Sequence, residues 1–264
     1  MSGGSRGIGL AIAVRAARDG ANVALLAKTD QPHPRLAGTI HSAASEIEAA
    51  GGSALAIVGD VRDADSIERA VRATIERFGA IDIVVNNASA IDLSPSVDLD
   101  LKKFDLMQQI EVRGTFLLTR AAVPYLRKSD HAHILTLSPP LNLNKRWLGA
   151  YVGYMLAKYG MTLAALGFAA EFESDQIASN TLWPRTAIAT AAVQNLLGGD
   201  QTMRRSRTPE IMADAAHAIL SRAPMEQTGQ SLIDDDVLVA AGVTDLSVYQ
   251  HEDGAELVPD FFLD

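Results

Sequence analysis

Along the whole chain, short strand-like apolar runs alternate with longer segments in which apolar residues recur at helical spacing. That alternation leaves few architectures open, because it is the mark of a parallel sheet with helices on both faces. Strands are expected at residues 22–27 (NVALLA), 54–58 (ALAIV), 81–86 (IDIVVN), 133–138 (HILTLS), 176–182 and 231–233. Helices are expected at 7–19, 39–50, 64–78, 101–128, 151–172, 187–197 and 209–220, with a Pro-rich loop at 31–34. No repeat, low-complexity tract or linker divides the chain. Residues 1–264 are therefore expected to form one α/β domain, a doubly wound parallel sheet, with a tail from Asp245 packed on it.

Composition narrows the function classes. The 23 basic and 32 acidic residues leave a net charge of −9, and no basic stripe offsets it, so a nucleic-acid partner is not expected. Cysteine is absent, which removes disulfides and thiolate metal sites, and no metal is expected. No apolar run reaches membrane-spanning length, and no basic-then-apolar signal region is present. A cytoplasmic location is the expectation.

The first nine residues, MSGGSRGIG, place Gly3, Gly7 and Gly9 where a tight turn lets backbone N–H groups approach a pyrophosphate at a helix N-terminus. Ser5, Arg6 and Ile8 belong to the same loop. After the strand ending at Ala27 come Lys28 and Thr29, where an NAD site usually offers a carboxylate to the ribose hydroxyls. Lys28 and Arg6 suit a 2′-phosphate instead, each pair attracting by roughly 4 kcal/mol at about 4 Å before desolvation and screening. NADP is thus expected in preference to NAD. Further strand ends supply Asp60 with Val61, and Asn87 with Ala88 and Ser89, along one edge of the sheet, where ligands of open α/β sheets bind.

Tyr154 and Lys158 fall four residues apart in a helical segment and share one face. A tyrosine working near neutral pH must lose about three units from its free pKa of about 10, roughly 4 kcal/mol. A nearby ammonium, Lys158, is the expected source. Ser138, at a strand end sixteen residues upstream of Tyr154, has a hydroxyl to hold a substrate oxygen beside it.

The glycines, Asn86-Asn87-Ala88, Ser138 and Tyr154 with Lys158, in that order over nearly the whole chain, resemble the short-chain dehydrogenase/reductase family. AKTDQPHP, LSPPLNLN, AKYGM, LWPRTAIATAA and PDFFLD are similar to its hydroxysteroid dehydrogenase-like branch. The resemblance implies a Rossmann-like fold and hydride transfer between a nicotinamide and a carbon bearing oxygen. It also implies Tyr154 as acid/base, Lys158 on the ribose, Ser138 on the substrate oxygen and Asp60 at the adenine. Asn87 and Ala88 would touch the cofactor, and the segment from Pro184 to Thr190, with Pro184, Thr186 and Ile188 in it, would flank the nicotinamide. A homodimer or homotetramer and a small apolar substrate are implied as well.

The chain departs from the family pattern at Ser89, Arg185 and Glu111. Glu111 stands where the family has a helical Asn that orders a relay water; its carboxylate would either hold that water or pair with Lys158. Two functions follow as expectations: an NADP(H)-dependent oxidoreductase acting on an apolar carbonyl or alcohol, or a cofactor-binding but catalytically weak lipid-binding or interaction module. A third expectation concerns the glycine loop, which has no strand ahead of it. The first Rossmann strand is read as missing and Met1 as an internal residue, so that either poor folding or a gap between the strands at Asn22 and Ile81 is expected, and a structural fragment that binds nothing is the third alternative for function.

Overall fold

The structure, a computed structural model, describes residues 1–33 and 36–264. Pro34, the last residue of the expected Pro-rich loop, lies outside the described residues. β1 (Asn22–Ala27) and β2 (Ser53–Val58) pair in parallel, from Asn22 opposite Ser53 to Ala27 opposite Val58. β3 (Ile83–Asn86), β4 (His133–Thr136), β5 (Ala178–Trp183) and β6 (Ser231–Ile233) form a second parallel set in that order. Every residue of β4 and β5 is buried, as apolar strands covered on both faces must be.

Between and around the strands run α1 (Gly7–Ala17), α2 (Ile40–Ala49), α3 (Ala64–Phe78), α4 (Leu101–Met107) and α5 (Gly114–Leu126). They are followed by α6 (Lys145–Leu148), α7 (Val152–Glu171), α8 (Ala191–Leu196), α9 (Gly199–Arg204), α10 (Glu210–Leu220) and α11 (Asp234–Ala240). The helix starts follow local chemistry. Thr39 and Ser42 form a reciprocal capping box at α2, while the Asp63 and Asp100 side chains accept from the backbone N–H groups of Asp65 and Lys102. One core packs Ile67, Val71, Leu118, Leu126 and Phe168 from α3, α5 and α7 against the sheet; another packs Ile12, Ile211, Met212 and Leu238 from α1, α10 and α11.

Among the described residues, the two strand sets are joined in the sheet through Ser2, which bridges in parallel to Leu26 of β1 and to Asn86 of β3. Ser2 N donates to Val85 O (3.0 Å), Gly3 N to Leu26 O (2.9 Å) and Leu26 N to Met1 O (2.9 Å). Beyond that contact the sheet is open. A cavity of about 420 Å³ separates β1 from β3, lined by Met1, Ile12, Leu26, Val71, Val84 and Leu118. The gap expected between the strands at Asn22 and Ile81 is present, and Ile81 and Asp82 line it rather than extending β3.

Other expectations need correction. The helix expected at 101–128 is interrupted by a π-helical turn, Gln108–Arg113, between α4 and α5. The helix expected at 187–197 starts only at Ala191, because Thr186 and Ile188 are extended and bridge to Pro259 and Arg207. α6, α9 and α11 were not expected. Among the described residues no helix is long and apolar enough to cross a membrane, and no cluster of metal-ligating side chains occurs.

Candidate active site

A cleft of about 610 Å³ opens along the carboxyl ends of β1, β2 and β3. Gly3, Ser5, Arg6, Gly7 and Ile8 form one wall, Lys28 and Thr29 a second, Asp60 and Val61 a third, and Asn87, Ala88 and Ser89 the floor. Gly3 and Gly7 take φ of +70° and +57°, the left-handed region glycine tolerates, which turns the chain sharply into α1. Arg6, at the N-cap, makes no side-chain cap, and the first turn carries no acidic residue. The orphan N–H groups of that turn, with the helix dipole, leave an anion site beside Gly7 and Ile8. Among the described residues, the only side chain near a Cβ built at Gly7 is Thr190, at 3.4 Å. This cradle fits the diphosphate of a dinucleotide.

Gly9 plays a different part. A Cβ there would sit 2.5 Å from Asn87 Nδ2 and 2.8 Å from Gly3 O, so Gly9 lies beneath Asn87 and does not line the cleft. Asn87 is committed to the loop itself: its Nδ2 donates to Ser2 O (3.1 Å) and Gly3 O (2.9 Å), and the backbone N–H groups of Asn87 and Ala88 both donate to Ser2 Oγ (3.1 Å each). Both residues act as clamps on the glycine turn.

At the far end of the cleft the Arg6 guanidinium donates to Ala37 O, Gly38 O and Thr29 Oγ1 (3.1, 2.9 and 3.4 Å). Lys28 Nζ lies 3.3 Å from Asp60 Oδ2, itself gripped by Arg62 Nη2 at 2.6 Å. The Arg62 guanidinium, with help from Lys28, holds the Asp60 carboxyl far below the usual carboxylate range, so Asp60 stays ionised. Arg6, Lys28 and Thr29 all line the cleft, and the Arg6 guanidinium reaches Thr29. His33, Leu36, Ile91 and Ile110 complete the walls, and Thr190, Ala191, Ala192, Asn195 and Leu196 cover the cleft. Thr190 ends the 184–190 segment expected at the nicotinamide and does line the cleft; Ala191, Ala192, Asn195 and Leu196 escaped sequence reasoning, which singled out Pro184, Thr186 and Ile188. All three are buried, and none lines the cleft.

The reactive residues converge on α7. Lys158 Nζ donates to Leu137 O (3.1 Å), and Thr162, one turn further on, donates through Oγ1 to Pro139 O (2.6 Å) and shares a hydrogen bond with Ser138 Oγ (3.0 Å). The chain leaving β4 is therefore strapped to the face of α7 that carries Tyr154, Lys158 and Thr162. Tyr154, Lys158 and Ser138 are 5, 3 and 0% exposed. Glu111, on the π turn, accepts from Ser89 Oγ (2.7 Å) and Ala90 N (3.0 Å), while its Oε2 is buried without a partner. No ion pair joins Glu111 to Lys158 among the described residues, so of the two roles open to this carboxyl the direct pairing is not adopted.

Burial pushes the Glu111 carboxyl up, against the pull of Lys158, and favours its neutral form. Burial likewise lowers Lys158, with Glu111 and Asp260 acting the other way. Tyr154 departs from expectation: burial first, then the carboxyls of Glu111 and Asp260, hold its phenol well above the ordinary value. A tyrosine so held stays protonated at neutral pH. Asp260, pushed up to about 7 by burial, and Phe262, whose ring stacks on Tyr154 at 6.1 Å, both belong to the tail and were not placed at the site from the residues. The run PDFFLD was the signal available.

Comparison with known proteins agrees with this geometry. The profile of the family described as Enoyl-(Acyl carrier protein) reductase matches residues 3–236. The chain is 54% identical, over all 264 residues, to the Xenopus tropicalis protein named Hydroxysteroid dehydrogenase-like protein 2, and 51% identical to that of Homo sapiens; it spans 63 and 62% of their lengths. A solved short chain dehydrogenase of Mycobacterium thermoresistibile superposes with a TM-score of 0.94 at 59% identity, covering 100% of this chain and 93% of that one. A blue fluorescent protein from a metagenomic library, solved in complex with NADPH, superposes at 0.73 with 25% identity, over 88% of this chain and 93% of that one. The fold, the glycine cradle and the Ser138, Tyr154 and Lys158 constellation have one common explanation: the chain belongs to the short-chain dehydrogenase/reductase family of NAD(P)-dependent oxidoreductases.

Proposed function

We propose that the chain interconverts a carbonyl and a secondary alcohol on an apolar, lipid- or steroid-like substrate, with NADP(H) as partner. The observation that carries this reading is the strapping of Ser138 and Lys158 to the Tyr154 face of α7. A bound nicotinamide supplies or accepts the hydride. In the reducing direction Tyr154, protonated in its buried setting, donates a proton to the substrate oxygen, which Ser138 orients. Lys158, fixed on Leu137 O, adds positive charge beside the phenolate that results. Glu111 ties this group to the cofactor cleft through Ser89 and Ala90. Arg6, Lys28 and Thr29 favour NADP(H) over NAD(H).

The test is NADPH oxidation by the purified chain against a panel of neutral ketones and aldehydes, repeated with NADH. Turnover with NADPH, several-fold weaker with NADH, supports the proposal; no turnover with any carbonyl sinks it. One observation favours a second reading, a cofactor-binding but catalytically weak module: none of Ser138, Tyr154 and Lys158 lines the cleft. Tight NADPH binding without turnover, with turnover restored by Glu111→Asn, would select that reading.

A further inference from the structure

Phe262 is fully buried in a box of aromatic side chains. Its ring centroid lies 5.2 Å from Tyr159, 5.7 Å from Trp147, 6.1 Å from Tyr154 and 6.4 Å from Trp183. The segment that delivers it is held by a few hydrogen bonds. Asn142 Nδ2 donates to Phe262 O (3.2 Å), Trp183 Nε1 to Phe261 O (3.0 Å) and Trp147 Nε1 to Asp264 Oδ1 (3.2 Å). Phe262 itself sits at φ +69°, a left-handed conformation costly for a bulky side chain. The segment is paired with the chain after β5 up to Asp260, through the Thr186–Pro259 bridge and Asp260 N donating to Arg185 O (3.0 Å); beyond it, the seat is made by the Phe262 side chain among four rings.

That seat is beside the proton donor. Tyr154, Ser138 and Lys158 are all nearly inaccessible, and the cofactor cleft does not reach them. A carbon bearing oxygen can approach the Tyr154 hydroxyl only if something gives way, and the ring stacked on Tyr154 belongs to Phe262.

We infer that Phe262 fills the subsite for a ring of the substrate, so that the tail and a neutral ring-bearing ketone or secondary alcohol compete for one pocket. The pocket's chemistry sets the class. Its walls are aromatic faces, which suit a phenyl-sized or alicyclic ring. Two indole N–H groups, on Trp147 and Trp183, lose their tail acceptors when the segment leaves and are then available to a polar atom at the edge of the ligand. Burial of these walls disfavours a charged ligand of either sign. Naming the ligand a substrate rests on the oxidoreductase reading; the competition for the pocket does not.

The chain has two tryptophans, and both line this pocket, so intrinsic fluorescence reports its occupancy. The probe is 1-phenylethanol, with 2-butanol as the ring-free control, titrated into the wild type, Asn142→Ala and Phe262→Ala. Asn142→Ala weakens the hold on the tail and removes no ring, though it also removes the acceptor of Asn144 N (3.0 Å) ahead of α6, so circular dichroism is recorded for this variant too. The expected result is a several-fold gain in 1-phenylethanol affinity for Asn142→Ala and a tenfold gain for Phe262→Ala, with no gain for 2-butanol. A gain confined to Phe262→Ala would mean only that an engineered hole had been filled, and would overturn the inference. No gain in either variant, or an equal gain for 2-butanol, would overturn it too. If Phe262→Ala fails to fold by circular dichroism, Asn142→Ala and Phe262→Leu decide, since a released tail still predicts a gain in Asn142→Ala. Ring-selective gains without NADPH turnover would retain the pocket and reject the oxidoreductase reading.

Discussion

The two halves of the sheet carry different parts of the site and are held in different ways. On one side β3 to β6 form an unbroken parallel ladder, with β4 and β5 buried throughout and α7 strapped across it by Lys158 and Thr162. On the other side β1 and β2 stand apart, joined through Ser2 across a cavity of about 420 Å³. The catalytic geometry rests on a continuous core, while the glycine loop hangs on Ser2, Gly3 and Asn87. Cofactor binding is therefore the part of the site that small changes can remove by themselves.

The largest effect tests the open side directly. Extending the chain ahead of Met1 by five apolar residues that pair with β1 and β3 would bury about four side chains at roughly 1.5–3 kcal/mol each, on the order of 6–12 kcal/mol as an upper bound. At roughly 2–4 °C per kcal/mol the midpoint of thermal unfolding should rise by more than about 10 °C. An unchanged midpoint would show that the cavity is not a strand site.

A smaller effect separates the halves. Gly9→Ala drives a Cβ against Asn87 Nδ2 and Gly3 O, at 2.5 and 2.8 Å, and so unseats the cofactor loop while leaving α7 untouched. Calorimetric titration should show NADPH affinity down about 100-fold, near 2.7 kcal/mol, with the unfolding midpoint shifted far less. Equal loss of both would mean that the two halves are not independent.

The smallest effect concerns the tail. Asp260 is pushed up to about 7, above its unfolded value of 3.8, so the folded state holds a proton that the unfolded state has lost over that window. Stability from this group is fully present below pH 3.8 and is lost as pH rises through about 7. Asp234, pushed up to about 6, acts in the same direction. Asp260→Asn should flatten the decline in unfolding free energy between pH 4 and 7. A decline as steep as in the wild type would remove Asp260 from the account.

Much of this comparison was legible in the residues. Asn22–Ala27, Ala64–Phe78 and Ser231–Ile233 fall where apolar runs and helical spacing put them, because each is set by local pattern. The Gln108–Arg113 π turn was not legible, since the shift in hydrogen bonding leaves the sequence pattern helical. α9 carries little apolar periodicity, and α11 follows β6 without a break, its start marked only by Asp234, Asp235 and Asp236. At the site, the glycines, Lys28 and Asp60 reached the cleft because they follow strand ends. Asn195 and Leu196 did so through a long-range fold-back, as did Asp260 and Phe262 on the catalytic side, and no local rule encodes such contacts.

The account's central claim is that one half binds the cofactor and the other performs the chemistry. Parallel titration and turnover of Tyr154→Phe test it most directly. NADPH should bind within about twofold of the wild type, while carbonyl reduction falls by roughly 100-fold or more, the usual scale for losing a positioned acid. Turnover that survives the substitution, or NADPH binding that disappears with it, would contradict the claim.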